Sequence, residues 1–355
     1  MIVLEVSMAK HRLYSLPYNG ARPEWYIDEV MKRKKYIDHV FCELPNESML
    51  SHTRFQFVKN KVEKDKVVNN VSRADYIMNC ADFLRLSKGK FRRFCPINAM
   101  YYRFKSSDEM VGFIANLLKV VDKYSVDGLI ISDYRIARLI HLARPEIEIH
   151  TSCNGYQWNI RQMEIWQERC GVKVFNPPRE ILRTPSKLKE MAEAGFKLKC
   201  IVNEGCLMGC PNTFLHQLSI SLGCYSGCSG CAQFGVGDIF RGNWILPRWQ
   251  KYYDKYVYIY KIAGRNIPGD YPFKCLDAFI REDDNLNLLE LMISGVIISA
   301  DKALPLEVKK KITTKIVPDK LLTCECKSCQ SCHLCDNILG KIIPQEYHKQ
   351  FYPSF

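Results

Sequence analysis

Cysteine is the residue type whose number and spacing say most about the chemistry of this chain. The sequence contains 17 cysteines among 355 residues. Five of them fall within the segment 204–231, namely Cys206, Cys210, Cys224, Cys228 and Cys231. Thiolates this close in sequence are typical ligands of iron–sulfur clusters and of zinc. The segment therefore predicts a centre for a soft metal.

A second group of cysteines lies in the C-terminal tail, 309–355. Its members are Cys324, Cys326, Cys329, Cys332 and Cys335. The last four are separated by two residues each, and four such thiolates can hold a [4Fe–4S] cluster. Tetrahedral zinc is the alternative, and His333 is a candidate to replace one cysteine in either site. We expect the last four to bind a second cluster, which would relay electrons or order the tail.

The other cysteines are more scattered. Four of them are expected to pack in the core, where free cysteine is common: Cys80, Cys170, Cys200 and Cys275. Cys42 and Cys153 fall at the ends of predicted strands and are candidates for an extra ligand. A secreted disulfide scaffold would be much shorter, and the N-terminus is a poor signal peptide. The cysteines therefore predict reduced thiols in a cytoplasmic protein.

Charge narrows the class of partner. The formal net charge is +13, with 47% hydrophobic and 25% charged residues. A positive net charge favours binding of a small anionic organic molecule or of a nucleic acid such as tRNA. The alternative is that the charge comes from lysines spread over the surface, with no binding role. No run approaches the roughly 18 apolar residues of a membrane span, so we expect no membrane partner.

The elements that must position these residues alternate between strand and helix patterns. Eight strands are predicted, at 12–18, 36–44, 93–99, 127–133, 147–152, 171–176, 197–203 and 256–262. Ser106 and Glu109 form a capping-box pattern ahead of one amphipathic helix, and Pro185 and Gly195 bracket another. Eight such repeats predict a (β/α)8 TIM-like barrel over 1–308. A linker and the cysteine-rich tail follow over 309–355.

Polar residues fall at the carboxyl ends of the predicted strands, where such barrels place their chemistry. Six are candidate catalytic residues: Asp133, Arg179, Glu180, Glu204, Lys261 and Arg265. Glu43, Asn98 and Ser152 fall at the same rim. An arginine can bind a carboxylate substrate through two hydrogen bonds. Glu180 is a candidate general acid or base, and its alternative role is to hold Arg179 in place. Asp133 lies beside Arg135, and an ion pair between them is the alternative to a catalytic role.

Several short motifs resemble one known family. They read VDGLIISD, RPEIEIHTSCNGYQWN, FNPPREI and CIVNEGCLMGCP, followed by KIAGR at 261–265. In this order, over about 124–279, they are similar to the peptidase U32 family. The resemblance implies a TIM-like barrel and a [4Fe–4S] cluster on four cysteines, carried over to Cys206, Cys210, Cys224 and Cys228. Cys231 is the substitute for Cys210 or Cys228.

The same resemblance implies a function. Members of the family include tRNA hydroxylation factors and an anaerobic ubiquinone-hydroxylation pair, and some use prephenate as an oxygen source. We therefore expect an iron–sulfur enzyme that carries out oxygen-independent hydroxylation, or a related group transfer, on a tRNA base or a small organic substrate. A redox partner such as ferredoxin or flavodoxin would supply electrons.

Three alternatives stay open from the residues. Cys224, Cys228 and Cys231 have the spacing of a radical enzyme that binds a cluster and S-adenosylmethionine. A U32-type protease is the second alternative, although neither a Ser–His–Asp nor a Cys–His set can be placed from the sequence. A non-catalytic RNA-binding protein is the third alternative, and its affinity for RNA would fall steeply with salt concentration.

Overall fold

Eight parallel strands form the centre of the molecule. The computed structural model describes residues 11–45, 73–222, 236–265, 267, 269–293, 301, 304–324 and 328–348. Seven of the strands are β1 Tyr14–Pro17, β2 Ile37–Phe41, β3 Arg92–Ile97, β4 Gly128–Ile131, β5 Glu148–Thr151, β6 Val172–Val174 and β7 Leu198–Ile201. Two further strands intervene, β8 Asn203–Leu207 and β9 Gly242–Trp244, before the last one, β10 Val257–Lys261. The eight parallel strands lie where the sequence predicts them.

The parallel sheet closes on itself. Its order is β6-β5-β4-β3-β2-β1-β10-β7, and a parallel bridge joins Phe175, just after β6, to Leu198 of β7. The Phe175 N–H donates to Lys197 O at 2.8 Å, and the Lys199 N–H donates to Phe175 O at 2.6 Å. The predicted (β/α)8 barrel is therefore confirmed, since every strand has a neighbour on both sides.

Helices cover the outside of the barrel. The longer ones are α1 Pro23–Lys32, α2 Arg73–Leu86, α3 Ser107–Tyr124, α4 Tyr134–Ala143, α5 Ile160–Cys170, α6 Pro185–Glu193 and α7 Thr213–Ser221. As predicted, the Ser106 hydroxyl accepts a hydrogen bond from the Glu109 N–H at the start of α3. The apolar stripes of these helices bury Leu117, Ile140 and Met163 against the strands. This layer is the main hydrophobic core.

Shorter elements complete the chain. The helices are α8 Gln250–Tyr253, α9 Tyr271–Arg281, α10 Leu288–Leu291, α11 Leu306–Lys309, α12 Cys329–Cys332, α13 Leu334–Gly340 and α14 Gln345–His348. Single 3-10 turns lie at Lys34–Tyr36, Cys153–Gly155, Arg179–Arg183, Val236–Ile239, Pro247–Trp249, Thr314–Ile316 and Asp319–Thr323. Within the part of the chain that is described, no helix is long and apolar enough to cross a membrane.

The segment predicted as a linker packs against the barrel. Ile312, Val317 and Leu321 are buried in the main core cluster. Arg248 donates to the backbone carbonyls of Thr314 and Val317 at 3.1 and 2.7 Å. Leu339 of α13 belongs to the same cluster. The described part of 309–355 is thus anchored to the barrel, and the domain boundary at 308 stays a prediction.

The interior of the barrel has a small apolar cluster of its own, formed by Phe41, Phe94 and Ile130. The Phe94 ring lies 4.4 Å from the ring centroid of His39 and 4.5 Å from that of His150. Gly128 of β4 faces this ring, and a Cβ built there would lie 2.2 Å from a Phe94 ring carbon. The interior is therefore filled, and only glycine fits at this point of β4.

Replacing Gly128 by alanine is expected to lower the free energy of unfolding by about 1–3 kcal/mol, the usual cost of overpacking a filled core. Urea denaturation measures the change. Gly112→Ala on α3 is the matched control, because a Cβ there meets nothing within 4 Å and alanine favours a helix interior. Equal stability of Gly128→Ala and the unmodified protein would show that the Phe94 ring has room to move.

Candidate active site

Arg179 lies at the centre of the carboxyl end of the barrel. It begins the 3-10 turn Arg179–Arg183 that follows β6. Its Nη2 donates to Asn154 Oδ1 at 3.1 Å, and its Nε lies 3.5 Å from Glu204 Oε2. Burial alone would lower the pKa of Arg179, but Cys153, Glu204 and Cys206 outweigh it and raise the pKa. Arg179 thus connects its own turn with the turn at Asn154 and with β8, as a permanently charged and largely buried cation.

Glu180, the next residue, has the character of a general acid. Its side chain is buried, and Oε2 has no hydrogen-bond partner among the described residues. Burial raises the pKa of this carboxyl group, and Glu204 adds to the rise, while Arg179 opposes it. A carboxyl group with a raised pKa is suited to donate a proton to a substrate.

Lys261 and Arg265 supply two more cations at the end of β10. Lys261 Nζ lies 4.8 Å from the ring centroid of Phe41, and the Arg265 guanidinium lies 5.7 Å from the same ring. Arg265 forms an ion pair with the buried Glu43. Among the described residues no carboxylate lies within ion-pair distance of Lys261. Burial lowers the pKa of Lys261 to about 8, although Cys153 opposes the change.

Cys206 and Cys210 lie beside this group of charges. Cys206 is on β8, where its N–H donates to Glu204 Oε1 at 3.4 Å. Cys210 follows the turn after β8, and the Cys210 N–H donates to Leu207 O at 3.3 Å. Both thiols are partly exposed. The other predicted ligands, Cys224, Cys228 and Cys231, lie outside the described residues, so the four-cysteine site stays a prediction.

Two of the other predictions can be located. Asp133 caps α4, since its Oδ1 accepts from the Arg135 N–H at 2.8 Å and its Oδ2 accepts from Arg135 Nη2 at 2.6 Å. The ion pair with Arg135 is thus present, and both carboxylate oxygens are engaged at the start of the helix. The four cysteines expected in the core are all buried, as are the candidate extra ligands Cys42 and Cys153.

Four residues at the barrel mouth carry buried polar atoms without a hydrogen-bond partner in the described part of the chain: Asn98, Tyr156, Gln157 and Asn176. Each follows a parallel strand. Three of them were missed from the sequence, although Tyr156 and Gln157 lie within the motif that follows β5. Buried polar groups normally find a partner, so these atoms indicate a place for a polar ligand or water.

The barrel interior contains a Ser–His–Asp set that the sequence reasoning failed to place. The Ser15 hydroxyl donates to His39 Nε2 at 2.8 Å, and His39 Nδ1 donates to Asp38 Oδ2 at 2.5 Å. The tautomer is assigned from these partners. Ser15 and His39 have no exposed surface. This set could not be placed from the sequence, and its burial closes it to a peptide.

A second buried chain crosses the barrel from β5 to β7. His150 Nε2 donates to Glu148 Oε1 at 2.8 Å, and Lys199 Nζ donates to His150 Nδ1 at 3.0 Å. Burial lowers the pKa of both His150 and Lys199 well below their ordinary values. A neutral His150 fits this hydrogen-bond pattern, which uses one donor and one acceptor of the imidazole.

The tail cysteines form a separate site. A cavity of about 300 Å³ is lined by Cys324, Cys329, Cys332 and Cys335 together with His333 and Arg241. Cys326 lies outside the described residues. Among those that are described, no three His, Cys, Asp or Glu side chains lie close enough together to hold a single metal ion.

Comparison with known proteins matches residues 58–207 to the profile of peptidase family U32. The uncharacterized protease MJ1657 of Methanocaldococcus jannaschii is 27% identical over 195 residues, which is 51% of this chain and 58% of that protein. The chain thus spans little more than half of this relative. The solved structure of the U32 peptidase Mk0906 is 11% identical, with a TM-score of 0.47 over 72% of this chain and 95% of that chain.

The matched segment ends one residue beyond Cys206. It contains the three motifs around β4, β5 and β6, the last of which includes Arg179 and Glu180. It also contains most of the fourth motif, which includes Glu204. Lys261, Arg265 and the other predicted cysteine ligands, from Cys210 onward, lie beyond its end. In this segment, the chain is similar to peptidase family U32.

Proposed function

We propose that the chain is an iron–sulfur enzyme whose barrel mouth binds an anionic organic substrate beside a [4Fe–4S] cluster. The observation that supports this most is the position of Cys206 near the largely buried cation Arg179, whose pKa it helps to raise. A thiol beside a buried positive charge is stabilised as the thiolate, the form that binds metals. The proposal assigns Cys206, Cys210, Cys224 and Cys228 as the ligands.

The two described ligands suit this role. Cys206 and Cys210 are partly exposed, whereas Cys80, Cys170, Cys200 and Cys275 are buried. The first two are separated by a turn that contains Gly209, which has a φ of 69°. When bound, the cluster would supply one-electron chemistry or an iron with an open coordination position.

The charges at the mouth favour an anionic substrate. Lys261 is buried and the Arg179 side chain is only 10% exposed, and Glu204 is the one carboxylate within ion-pair distance of either in the described part of the chain. An anion would balance the remaining positive charge, with Arg179 offering parallel N–H donors and Lys261 a point charge. The partnerless amides of Gln157 and Asn176 would orient the polar groups of the substrate.

Glu180 would then act as a proton donor. Its buried carboxyl group has a raised pKa, and it lies next to Arg179 in the 3-10 turn that follows β6. In the finer version of the proposal the reaction is an oxygen-independent hydroxylation, or a related group transfer, on a small organic substrate or a tRNA base. An oxygen donor other than O₂ and electrons from a ferredoxin or flavodoxin are parts of that version.

Peptide hydrolysis is less well supported, although the relatives carry the name of protease. The described Ser–His–Asp set lies inside the barrel, where Ser15 and His39 are 0% exposed. A serine nucleophile must reach a carbonyl carbon of the substrate, and no peptide can approach this hydroxyl without opening the barrel.

Substituting Cys206 by alanine tests the proposal. Protein purified without oxygen is expected to lose about four iron and four sulfide per chain on substitution, because a [4Fe–4S] cluster with three remaining thiolates is poorly held. Iron and sulfide assays with Mössbauer spectroscopy measure the loss. Cys200→Ala is the matched control, since this thiol is buried on β7. Unchanged iron content in Cys206→Ala would refute the mouth cluster.

A further inference from the structure

We propose that the barrel mouth binds a planar lactam edge, a –CO–NH– unit with a hydrogen-bond donor beside an acceptor, and that Gln157 and Asn176 bind this edge. This rests on the proposed function and deepens it, because it names a chemical class for the substrate of the same mouth. A carboxylate alone has no hydrogen-bond donor, so it would leave the oxygens of both side chains unpaired.

The two carboxamide groups are buried, and all of their polar atoms lack partners. Gln157 and Asn176 are each 1% exposed. Neither the oxygen nor the nitrogen of either group has a hydrogen-bond partner in the part of the chain that the structure describes. Because both atoms of each amide are free, exchanging O and N in the assignment changes nothing. Leaving such atoms unpaired costs about 1–3 kcal/mol each, so these groups are suited to a ligand that pairs with them.

Gln157 lies over the carboxyl ends of β4 and β5. A Cβ built on Gly155 would lie 2.5 Å from Gln157 Nε2 and 3.3 Å from the backbone oxygen of Ser132, which follows β4. Glycine at this position thus leaves the room that the amide occupies. Tyr156, between these two residues, has a left-handed φ of 51°, and such backbone strain is concentrated at ligand sites. The loop after β5 therefore holds the Gln157 amide at the mouth.

Asn176 reaches the same end of the barrel from β6. Its N–H donates to Thr151 Oγ1 at 2.8 Å, at the end of β5. Arg179 follows three residues later, and its Nη2 donates to Asn154 Oδ1 at 3.1 Å. Asn154 belongs to the 3-10 turn that precedes Gln157. The two amides thus come from the two loops that the Arg179 side chain links, beside the cation that is proposed to bind the anionic group.

The unpaired oxygens favour one class of ligand over others. Three amide oxygens at the mouth have no donor among the described residues, namely those of Asn98, Gln157 and Asn176. A carboxylate only accepts hydrogen bonds, and a hydroxyl group supplies a single donor that rotates freely. A lactam holds N–H and C=O side by side, and a carboxamide pairs with such an edge through two parallel hydrogen bonds. The mouth is therefore matched to a lactam in addition to an anionic group.

Aromatic rings next to the amides favour a flat ligand. The Tyr156 ring lies 5.5 Å from the ring centroid of Phe214 and 6.5 Å from that of Trp158. Trp158 is 41% exposed and Phe214 is 52% exposed. Exposed aromatic faces beside polar groups stack on planar rings. A flat ring that carries a lactam edge and a carboxylate matches the aromatic faces, the amides and Arg179 together.

Two probes that differ in this edge test the inference on the unmodified full chain, purified without oxygen. Uracil-6-carboxylate carries a carboxylate and lactam edges on one flat ring, whereas benzoate carries only the carboxylate and the ring. Titration calorimetry is expected to give an affinity for uracil-6-carboxylate at least about tenfold higher than for benzoate, because benzoate leaves the buried amides unpaired. Equal affinities would mean that water satisfies the amides, and would overturn the inference.

Two variants assign the effect to the amides. Gln157→Met and Asn176→Leu remove the polar atoms at similar volume, and each is expected to weaken binding of uracil-6-carboxylate about tenfold. Benzoate binding is expected to stay unchanged, which also shows that the variants are folded. Gln167→Met, at an exposed position of α5, is the matched control and is expected to change neither affinity. Equal losses for both probes in the two variants would contradict a role in binding the lactam edge.

The outcome is separable from that of the proposed function. Binding of both probes with equal affinity, lost for both in Arg179→Met, would leave the anionic site intact and overturn the lactam edge alone. Binding of neither probe would remove both. The iron content of Cys206→Ala reports on the cluster independently of either result.

Discussion

Lowering the pH from 6.5 to 5.5 is expected to reduce the free energy of unfolding by about 2 kcal/mol, because two histidines are buried as neutral groups. Burial lowers the pKa of His39 and of His150 well below 6.5, and the nearby Lys199 contributes to both shifts. In the unfolded chain both imidazoles bind protons below pH 6.5. The folded protein does not, so protons favour the unfolded state.

The direction of the stability change and the pH range in which it occurs follow from the surroundings of the two imidazole rings. His39 contacts Ser15 and Asp38, and His150 contacts Glu148 and Lys199. Each ring contributes up to about 1.4 kcal/mol per pH unit below its unfolded pKa. The Glu148 carboxyl group responds in a lower window, because its hydrogen bond to His150 lowers its pKa to about 2. Its stabilising effect is therefore lost only as the pH falls below about 4.5.

Urea denaturation at pH 7.5, 6.5 and 5.5 and constant ionic strength measures this dependence. His150→Gln is expected to roughly halve the slope below pH 6.5, since one of the two titrating groups is removed. His11→Gln, at an exposed position, serves as the control and is expected to leave the slope unchanged. A stability that does not vary between pH 6.5 and 5.5 would contradict burial of neutral imidazoles.

The strands of the barrel were predictable because parallel strands are buried on both faces. Runs such as GLII at β4 are apolar throughout, and the helices between them show a period of 3.6 residues. The predicted ends differ from the observed ones by one to three residues, since the last residues of each run continue into the mouth loops. Arg179 and Glu180 were found because they follow such a strand end.

The interior of the barrel was not predictable. Ser15, His39, His150 and Lys199 are polar residues within short runs, and nothing local tells an inward side chain from an outward one. The contact between Lys199 and His150 joins strands that are not neighbours. It therefore depends on how the closed barrel staggers its strands. The same limit applies to the tail, where the left-handed His333 determines which cysteines share a cavity.

Replacing Arg183 by methionine is expected to destabilise the protein by about 2–4 kcal/mol, through the loss of hydrogen bonds to buried carbonyl groups. Arg183 is 1% exposed. Its Nη1 donates to the carbonyls of Phe240, Gly242 and Trp244 at 3.4, 3.0 and 3.3 Å, and its Nη2 donates to Leu321 O at 3.4 Å. The guanidinium also lies 5.6 Å from the ring centroid of Trp244.

The size of this effect depends on a balance between two terms. Methionine fills a similar volume and removes a buried charge that has no carboxylate partner in the described part of the chain, which lowers the desolvation cost. It also leaves the carbonyls of Phe240, Gly242 and Trp244 without this donor, at about 1 kcal/mol or more each. Leu321 O loses the Arg183 hydrogen bond but still accepts from the Cys324 N–H at 3.3 Å. The loss is therefore expected to exceed the gain.

Chemical denaturation of Arg183→Met, with two companion variants, separates these terms. Arg161→Met, at an exposed position of α5, is expected to change stability by less than about 0.5 kcal/mol. Arg183→Lys keeps the charge but loses the planar set of donors, so an intermediate loss is expected. Limited proteolysis should cut Arg183→Met first near Leu321, because that carbonyl joins the tail to the barrel. A stability equal to that of Arg161→Met would show that the four carbonyls do not depend on this side chain.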